Sequence, residues 1–173
     1  HMSHRKVIKS PKDLLLNMKT LLLNLSNHDL HDDVSILLVE TVNKDSLKVI
    51  KQYGVYRELL NHEFSRRSFA GYSLSLGVPL IEKDAEARRE VDQTYKARLT
   101  SSDKIIKSII TVPIYCNDDV LNGCILEFVS NKEGIFIENN EINQCLEIIQ
   151  DELKNKYCNS HCSKAKEKIN EII

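Results

Sequence analysis

Tryptophan is absent from this 173-residue chain, and aromatic residues make up only 6% of it. Glycine and proline are also scarce, at five and three residues. These shortages exclude the Pro- and Gly-rich low-complexity classes and favour a folded chain without long disordered linkers. A chain of this length corresponds to one domain that buries a substantial core.

Neither sign of charge is in excess, because 24 Lys and Arg face 25 Asp and Glu. A chain without a positive excess has no overall field that attracts a polyanion, so we expect no nucleic-acid partner. Its longest apolar runs are far shorter than the roughly 20 residues that cross a bilayer, so we expect no membrane partner and a cytoplasmic location. Five cysteines, an odd number without a signal peptide, predict reduced thiols and not a disulfide framework.

Helical spacing marks both ends of the chain. From Pro11 to Leu25 apolar residues recur every three or four positions, and Ser10 is placed to cap the helix. The same spacing runs from Glu138 to Lys156. The leucine stripe of the first helix suits packing against a second helix of this chain or of a partner.

Strand patterns lie between the two helices. Val34 to Val42 and Leu47 to Val55 are rich in β-branched residues and predict one hairpin. Lys107 to Cys116 and Val120 to Ser130 predict another around an Asn-Asp-Asp turn. The charged segment Glu82 to Ala97 is interpreted either as a solvated helix or loop, or as a mobile lid.

This order of elements predicts an α+β domain with a central antiparallel sheet. Its terminal helices would cover one face, and the middle segment would leave a ligand pocket on the other. His1 and Met2 resemble the remnant of a cleaved tag, so we expect the domain to span residues 3–156. Residues 157–173 would form a polar, helical extension.

Several segments resemble a known family. Phe69-Ala70-Gly71, then Gly77-Val78-Pro79-Leu80 and Asp84, look like the glycine, short strand, G-x-P-L and aspartate of GAF domains, which are small-molecule sensors of signalling proteins. Ser108 to Ile114 and Gly123 to Asn131 look like two core strands of that family. The resemblance covers roughly Pro11 to Lys154 and implies a GAF-like fold.

A second match is to the signature of GAF domains from cyclic-nucleotide phosphodiesterases. Asn131-Lys132, Phe136 and Asn140-Glu141 resemble its N-K, F and D-E elements, with Asn140 where the family has Asp. In the family this Lys and Asp form an ion pair. The resemblance implies that Lys132 here meets a neutral amide, and that cAMP and cGMP are the first candidate ligands.

The candidate ligand-binding residues share a place near the implied pocket. They are Ser68, Phe69, Tyr72, Asp84, Thr94, Tyr95, Thr111 and Glu127. Strand alternation puts Glu127 opposite Leu126 and Phe128, either in the pocket or on the solvent side of an edge strand. Asp84 is equally suited to capping a helix, and the Arg66-Arg67 pair either meets a phosphate or is simply solvated.

Catalytic and metal-binding patterns are few. The sequence has no G-x-S-x-G, P-loop or H-E-x-x-H motif. Two clusters are read as polar surface segments more than as metal sites: His28, His31, Asp32 and Asp33 in one, and Cys158, His161 and Cys162 in the other. We therefore expect no enzyme activity, no cofactor and no resident metal; redox chemistry at Cys116 and Cys124 is the enzymatic alternative.

Two functions remain open from the sequence. The first is a regulatory GAF domain that senses a small molecule, possibly a purine cyclic nucleotide, by ordering residues 82–102 and shifting the terminal helices. The second is a dimerisation GAF domain with a closed pocket, which pairs its terminal helices as a four-helix bundle. A homodimer is compatible with either function.

Overall fold

The structure is a computed structural model that describes two β-sheets and two α-helices. The described residues are 34–85, 99–101, 104–114, 123–136 and 138–157. The predicted first helix lies outside them, as does nearly all of the charged segment proposed as a lid. Among the described residues, no helix is both long enough and apolar enough to cross a membrane.

Six strands form one antiparallel sheet in the order β3-β2-β1-β8-β7-β4, and β5 and β6 form a separate ribbon. The elements in chain order are β1 (Ser35–Asn43), β2 (Ser46–Gly54), a 3₁₀ turn (Arg57–Leu59), β3 (Glu63–Ser65), α1 (Phe69–Leu76), β4 (Leu80–Glu82), β5 (Leu99–Ser101), β6 (Lys104–Ile105), β7 (Ser108–Ile114), β8 (Cys124–Ser130) and α2 (Asn140–Tyr157). The predicted α+β class, both hairpins and the last helix are confirmed.

Specific backbone contacts fix both ends of strand β2 in the first hairpin. In the turn, the Asp45 amide donates a 2.8 Å hydrogen bond to Oδ1 of Asn43. Gly54 ends the strand with φ of 121°, and a Cβ atom there would lie 2.5 Å from the Val34 carbonyl oxygen. Only glycine fits this combination of backbone angle and close approach.

The segment between Gly71 and Gly77 is helix α1, not the short strand that the family resemblance implied. Its first turn is capped by Ser68, whose Oγ accepts a 3.3 Å hydrogen bond from the Gly71 amide. Its end is set by Gly77, which adopts the left-handed conformation at φ of 73°. These two caps override the alternation of Leu74, Ser75 and Leu76, which is typical of a strand.

Helix α2 covers one face of the sheet with the apolar stripe predicted from the sequence. Its stripe and the strands form a dry core of aliphatic and aromatic side chains. The buried members from α2 are Ile142, Leu146, Ile149 and Leu153, and those from β7 and β8 include Ile110, Val112, Leu126 and Phe128. Burial of this stripe is the main reason that an 18-residue helix with a polar outer surface is stable here.

Helix α1 and the 3₁₀ turn lie on the other face, which we call the α1 face. Its core contains Leu37 and Val39 from β1, Ile125 and Val129 from β8, and Ile109 from β7, together with Phe69, Ala70 and Leu74 from α1. The sheet is therefore buried on both sides. In the middle of β7 and β8, polar side chains interrupt the apolar surface on the α1 face but not on the face that α2 covers.

Replacing Gly71 with alanine should destabilise the fold by about 3 kcal/mol, because the added Cβ would overlap the Arg66 carbonyl oxygen that α1 packs against. Gly134→Ala is the matched control. Gly134 has φ of 74° but no atom within 4 Å of the added Cβ, so Gly134→Ala should destabilise the fold by only about 1–2 kcal/mol. Urea unfolding measures both; equal losses would show that the close approach of α1 to Arg66 is not a constraint.

Candidate functional site

Two polar side chains lie side by side in the centre of the α1 face. Thr111 on β7 pairs directly with Glu127 on β8, which pairs in turn with Leu37 on β1. Side chains paired in this way point to the same face, with Cβ atoms about 4.5–5.5 Å apart. Both residues are 0% exposed. A carboxyl and a hydroxyl group thus sit together in an otherwise apolar layer.

Glu127 is not on the solvent side of an edge strand, so that alternative is wrong. β8 lies between β1 and β7 in the interior of the sheet. Among the residues whose exposure the structure describes, Glu127 is the one acidic or basic side chain that is buried. It has a hydrogen-bonding or electrostatic partner of its own, as a buried carboxyl group requires.

Thr111 differs from Glu127 because its Oγ1 atom is buried without a hydrogen-bond partner. Most buried hydroxyl groups in proteins are paired, and an unpaired one costs about 1–3 kcal/mol of stability. The position is one where valine would fill the same space without that cost. The unpaired hydroxyl therefore marks a place where the fold gives up stability.

Helix α1 packs on this face of the sheet, over the layer that contains the polar pair. It packs on β7 and β8, and it brings Phe69 and Leu74 into the same cluster as Ile109 and Ile125, the apolar neighbours of the polar pair. Its N-terminus follows Arg66 and Arg67. The positive end of a helix attracts anions. Partial burial lowers the pKa of the Arg66 guanidinium group.

The structure brings together four of the eight predicted ligand-binding residues around the α1 face. Thr111 and Glu127 form the buried pair, Phe69 lies in the apolar cluster, and Ser68 is the buried cap of α1. Tyr72 is exposed and lies outside that cluster. Asp84 is half-buried just after β4. Thr94 and Tyr95 lie outside the described residues.

The signature residues near the end of β8 take separate places. Asn131 pairs with Tyr56. The Tyr56 hydroxyl donates a 2.9 Å hydrogen bond to Oδ1 of Asn131 and accepts a 3.0 Å hydrogen bond from the backbone amide of Asn131. Phe136 is fully buried under α2. Lys132, Asn140 and Glu141 are exposed. The contact between Lys132 and Asn140 stays a prediction; between exposed groups it would add little stability.

The start of α2 is capped by Asn139 and not by a residue of the signature. The Ile142 amide donates a 3.0 Å hydrogen bond to Oδ1 of Asn139. Further along this helix, burial and then the nearby Glu141 carboxylate raise the pKa of the half-buried Cys145 thiol. That thiol is a poorer nucleophile at neutral pH than an exposed cysteine.

Metal binding finds no support in the part of the chain that the structure describes. No group of three His, Cys, Asp or Glu residues there is close enough to hold an ion. The two clusters considered from the sequence lie outside the described residues. Cys116 also lies outside them, and Cys124 is buried on the α2 face, on the opposite side of the sheet from Glu127.

One residue with a specific role was not found from the sequence. Gln150 on α2 is buried, and its side-chain amide donates to the carbonyl oxygens of Gly77 and Pro113. The available signal was a polar residue four positions after the buried Leu146, on the side of the helix that packs against the sheet.

This architecture is similar to that of solved GAF domains. The GAF domain of a two-component sensor histidine kinase from Bacillus halodurans matches with a TM-score of 0.50 at 19% identity, over 82% of this chain and 88% of that one. The GAF domain of an Acinetobacter phosphoenolpyruvate-protein phosphotransferase matches with a TM-score of 0.50 at 13% identity, over 91% and 92%. No family model and no curated protein matches the chain. At these identities the likeness establishes the fold, and the chain has the GAF fold.

The prediction that the chain is not an enzyme is wrong as a conclusion from this fold. Free methionine-R-sulfoxide reductase from Neisseria meningitidis, solved in complex with its substrate, matches with a TM-score of 0.48 at 16% identity, over 86% of each chain. Reductases and the GAF domains of signalling proteins thus both occur among the similar structures.

Replacing Thr111 with valine should stabilise the ligand-free protein by about 1 kcal/mol, because it removes a buried hydroxyl group that has no partner and keeps the side-chain shape. Thr41→Val is the matched control. The Thr41 hydroxyl donates a 3.1 Å hydrogen bond to the Gly123 carbonyl, so its loss should be destabilising. Urea unfolding of both variants gives the signs; a destabilised Thr111→Val would show that this hydroxyl already has a partner.

Proposed function

We propose that this chain is a regulatory GAF domain that senses a small molecule on its α1 face. The observation that carries the proposal is the unpaired, fully buried Thr111 hydroxyl beside the buried Glu127 carboxyl group, beneath α1. The GAF fold, which occurs in sensor proteins such as the histidine kinase above, supports the same function. The ligand would bind between the sheet and α1.

The two polar groups define what the ligand must present. The oxygen atoms of a carboxyl group accept hydrogen bonds, and a threonine hydroxyl can both donate and accept one. The ligand therefore carries an N–H or O–H donor next to an acceptor, on a flat or apolar body that fits against Ile109, Ile125 and Phe69. The edge of a purine base has adjacent donors and acceptors of this kind.

The surroundings of α1 are compatible with a phosphate on the same ligand. Backbone amides at the N-terminus of a helix and nearby arginines are common partners of phosphate groups. Arg66 and Arg67 precede Ser68, the residue that caps α1. A purine cyclic nucleotide satisfies both requirements, so cAMP and cGMP are the first ligands to test.

Thermal unfolding with cGMP, cAMP, their 5′-monophosphates and free methionine sulfoxide tests the proposal. A ligand present at 100 times its dissociation constant adds about 2.7 kcal/mol of stability, and each kcal/mol raises the melting temperature by roughly 2–4 °C in a chain of this size. We expect a cyclic nucleotide to produce such a shift. Assay of the methionine sulfoxide sample for reduction, with a thiol reductant present, measures catalysis in parallel.

Glu127→Gln and Thr111→Val should each abolish most of that shift, because the first exchanges an acceptor oxygen of the carboxyl group for an NH₂ donor and the second removes the hydroxyl group. Glu58→Gln makes the same change at an exposed carboxylate and should leave the shift intact. A shift that survives in both site variants would place the ligand elsewhere. No shift with either cyclic nucleotide would reject them as ligands.

Dimerisation through the terminal helices is the less supported function. The apolar stripe of α2 is already buried against its own sheet. The exposed positions of α2 include the acidic residues Glu141, Glu147 and Asp151, which repel a second copy of the same surface. Sedimentation at tens of micromolar measures the association directly; a stable dimer without any ligand response would favour this function over sensing.

A further inference from the structure

The Gln150 side chain links the two helices across the edge of the sheet. Its Nε2 atom lies 3.0 Å from the Gly77 carbonyl oxygen and 2.7 Å from the Pro113 carbonyl oxygen. The side chain is 6% exposed. An amide NH₂ group has two hydrogens, and both are used here. A single buried group on α2 therefore holds two backbone segments that belong to other elements.

The two acceptors are points where the regular hydrogen bonding of the fold ends. β4 begins at Leu80, which pairs with Thr111, so no residue of β4 pairs with Pro113 two positions further along β7. Gly77 is the left-handed residue that terminates α1. Buried carbonyl groups at such ends need a donor from outside the element. Gln150 supplies the donor for both.

Gly77 moves with α1 because local hydrogen bonds fasten it to the helix. The Gly77 amide donates to the Ser73 carbonyl at 2.8 Å, and the Ser73 hydroxyl donates to the Val78 carbonyl at 2.8 Å. The turn that carries the Gly77 carbonyl is thus part of the last turn of α1. Any displacement of α1 relative to the sheet changes the distance from Gly77 to Gln150, which is anchored on the opposite face.

We propose that Gln150 is the positioning residue that couples α1, over the ligand site, to α2. When α1 shifts, the hydrogen bond from Gln150 to Gly77 lengthens or shortens, whereas the hydrogen bond to Pro113 keeps the Gln150 side chain in place on the sheet. A shorter bond to Gly77 stabilises α2, and a longer one destabilises it. Coupling of this kind is a free energy shared by two sites. That a ligand is what displaces α1 rests on the proposed function; the link itself does not.

Hydrogen exchange read by mass spectrometry tests the link without a ligand. Ser73→Ala removes the hydroxyl that fastens the turn, so it should speed exchange at the end of α1 and, through Gln150, in the middle of α2. Combined with Gln150→Met, which keeps the length but has no donor, Ser73→Ala should speed exchange in α1 only. We expect the effect on α2 to differ by about fivefold or more between the two backgrounds.

Gln144→Met is the matched control, since Gln144 is an exposed residue of the same helix. In that background Ser73→Ala should act on α2 as it does in the wild-type protein. If Gln150→Met does not fold, Gln150→Asn, which retains the amide but is one methylene shorter, replaces it with the same expectation. An equal response of α2 to Ser73→Ala in every background would overturn the proposal.

The two proposals fail separately. If no compound in the thermal panel binds but the Ser73 and Gln150 variants show the expected non-additivity, the coupling stands and the ligand assignment falls. If cGMP or cAMP binds and α2 responds equally in the wild type and in Gln150→Met, ligand sensing stands and the coupling through Gln150 falls.

Discussion

The pairing of β1 with β8 is the constraint on which the rest of the structure depends. It joins the two hairpins through residues that are 84 to 94 positions apart in sequence, with Ser35 opposite Val129 and Glu40 opposite Cys124. Because side chains alternate between faces, this register decides what each face contains. A slip of one residue would move Glu127 into the dry core under α2 and bring aromatic Phe128 to the α1 face.

Much of this arrangement is readable from the sequence because it is local. The β-branched runs of both hairpins and the apolar stripe of α2 have periods that identify strand and helix directly, and alternation along β8 places Glu127 opposite Leu126 and Phe128. The helical state of residues 69–76 is different. It depends on the Ser68 cap and on a close approach of Gly71 to Arg66, which the sequence does not show.

The parts of the candidate site that escaped sequence analysis depend on long-range contacts. Whether the Thr111 hydroxyl has a hydrogen-bond partner depends on all the residues that surround it in the fold. No pattern in the sequence of β7 indicates that the partner is missing. The same holds for the pairing of Tyr56 with Asn131, 75 positions later, and for the bonds from Gln150 to Gly77 and Pro113. Local patterns predict which face a side chain takes, whereas the partners of its polar atoms follow only from the assembled fold.

Both outermost strands of the sheet are only three residues long, Glu63–Ser65 in β3 and Leu80–Glu82 in β4. An edge strand with exposed backbone groups is a template on which another protein molecule can add a strand, and short edges with charged residues limit such addition. Each of these two strands carries a glutamate. Each of these two strands therefore offers a foreign strand few backbone groups to pair with, which limits strand addition onto β3 and β4 at high protein concentration.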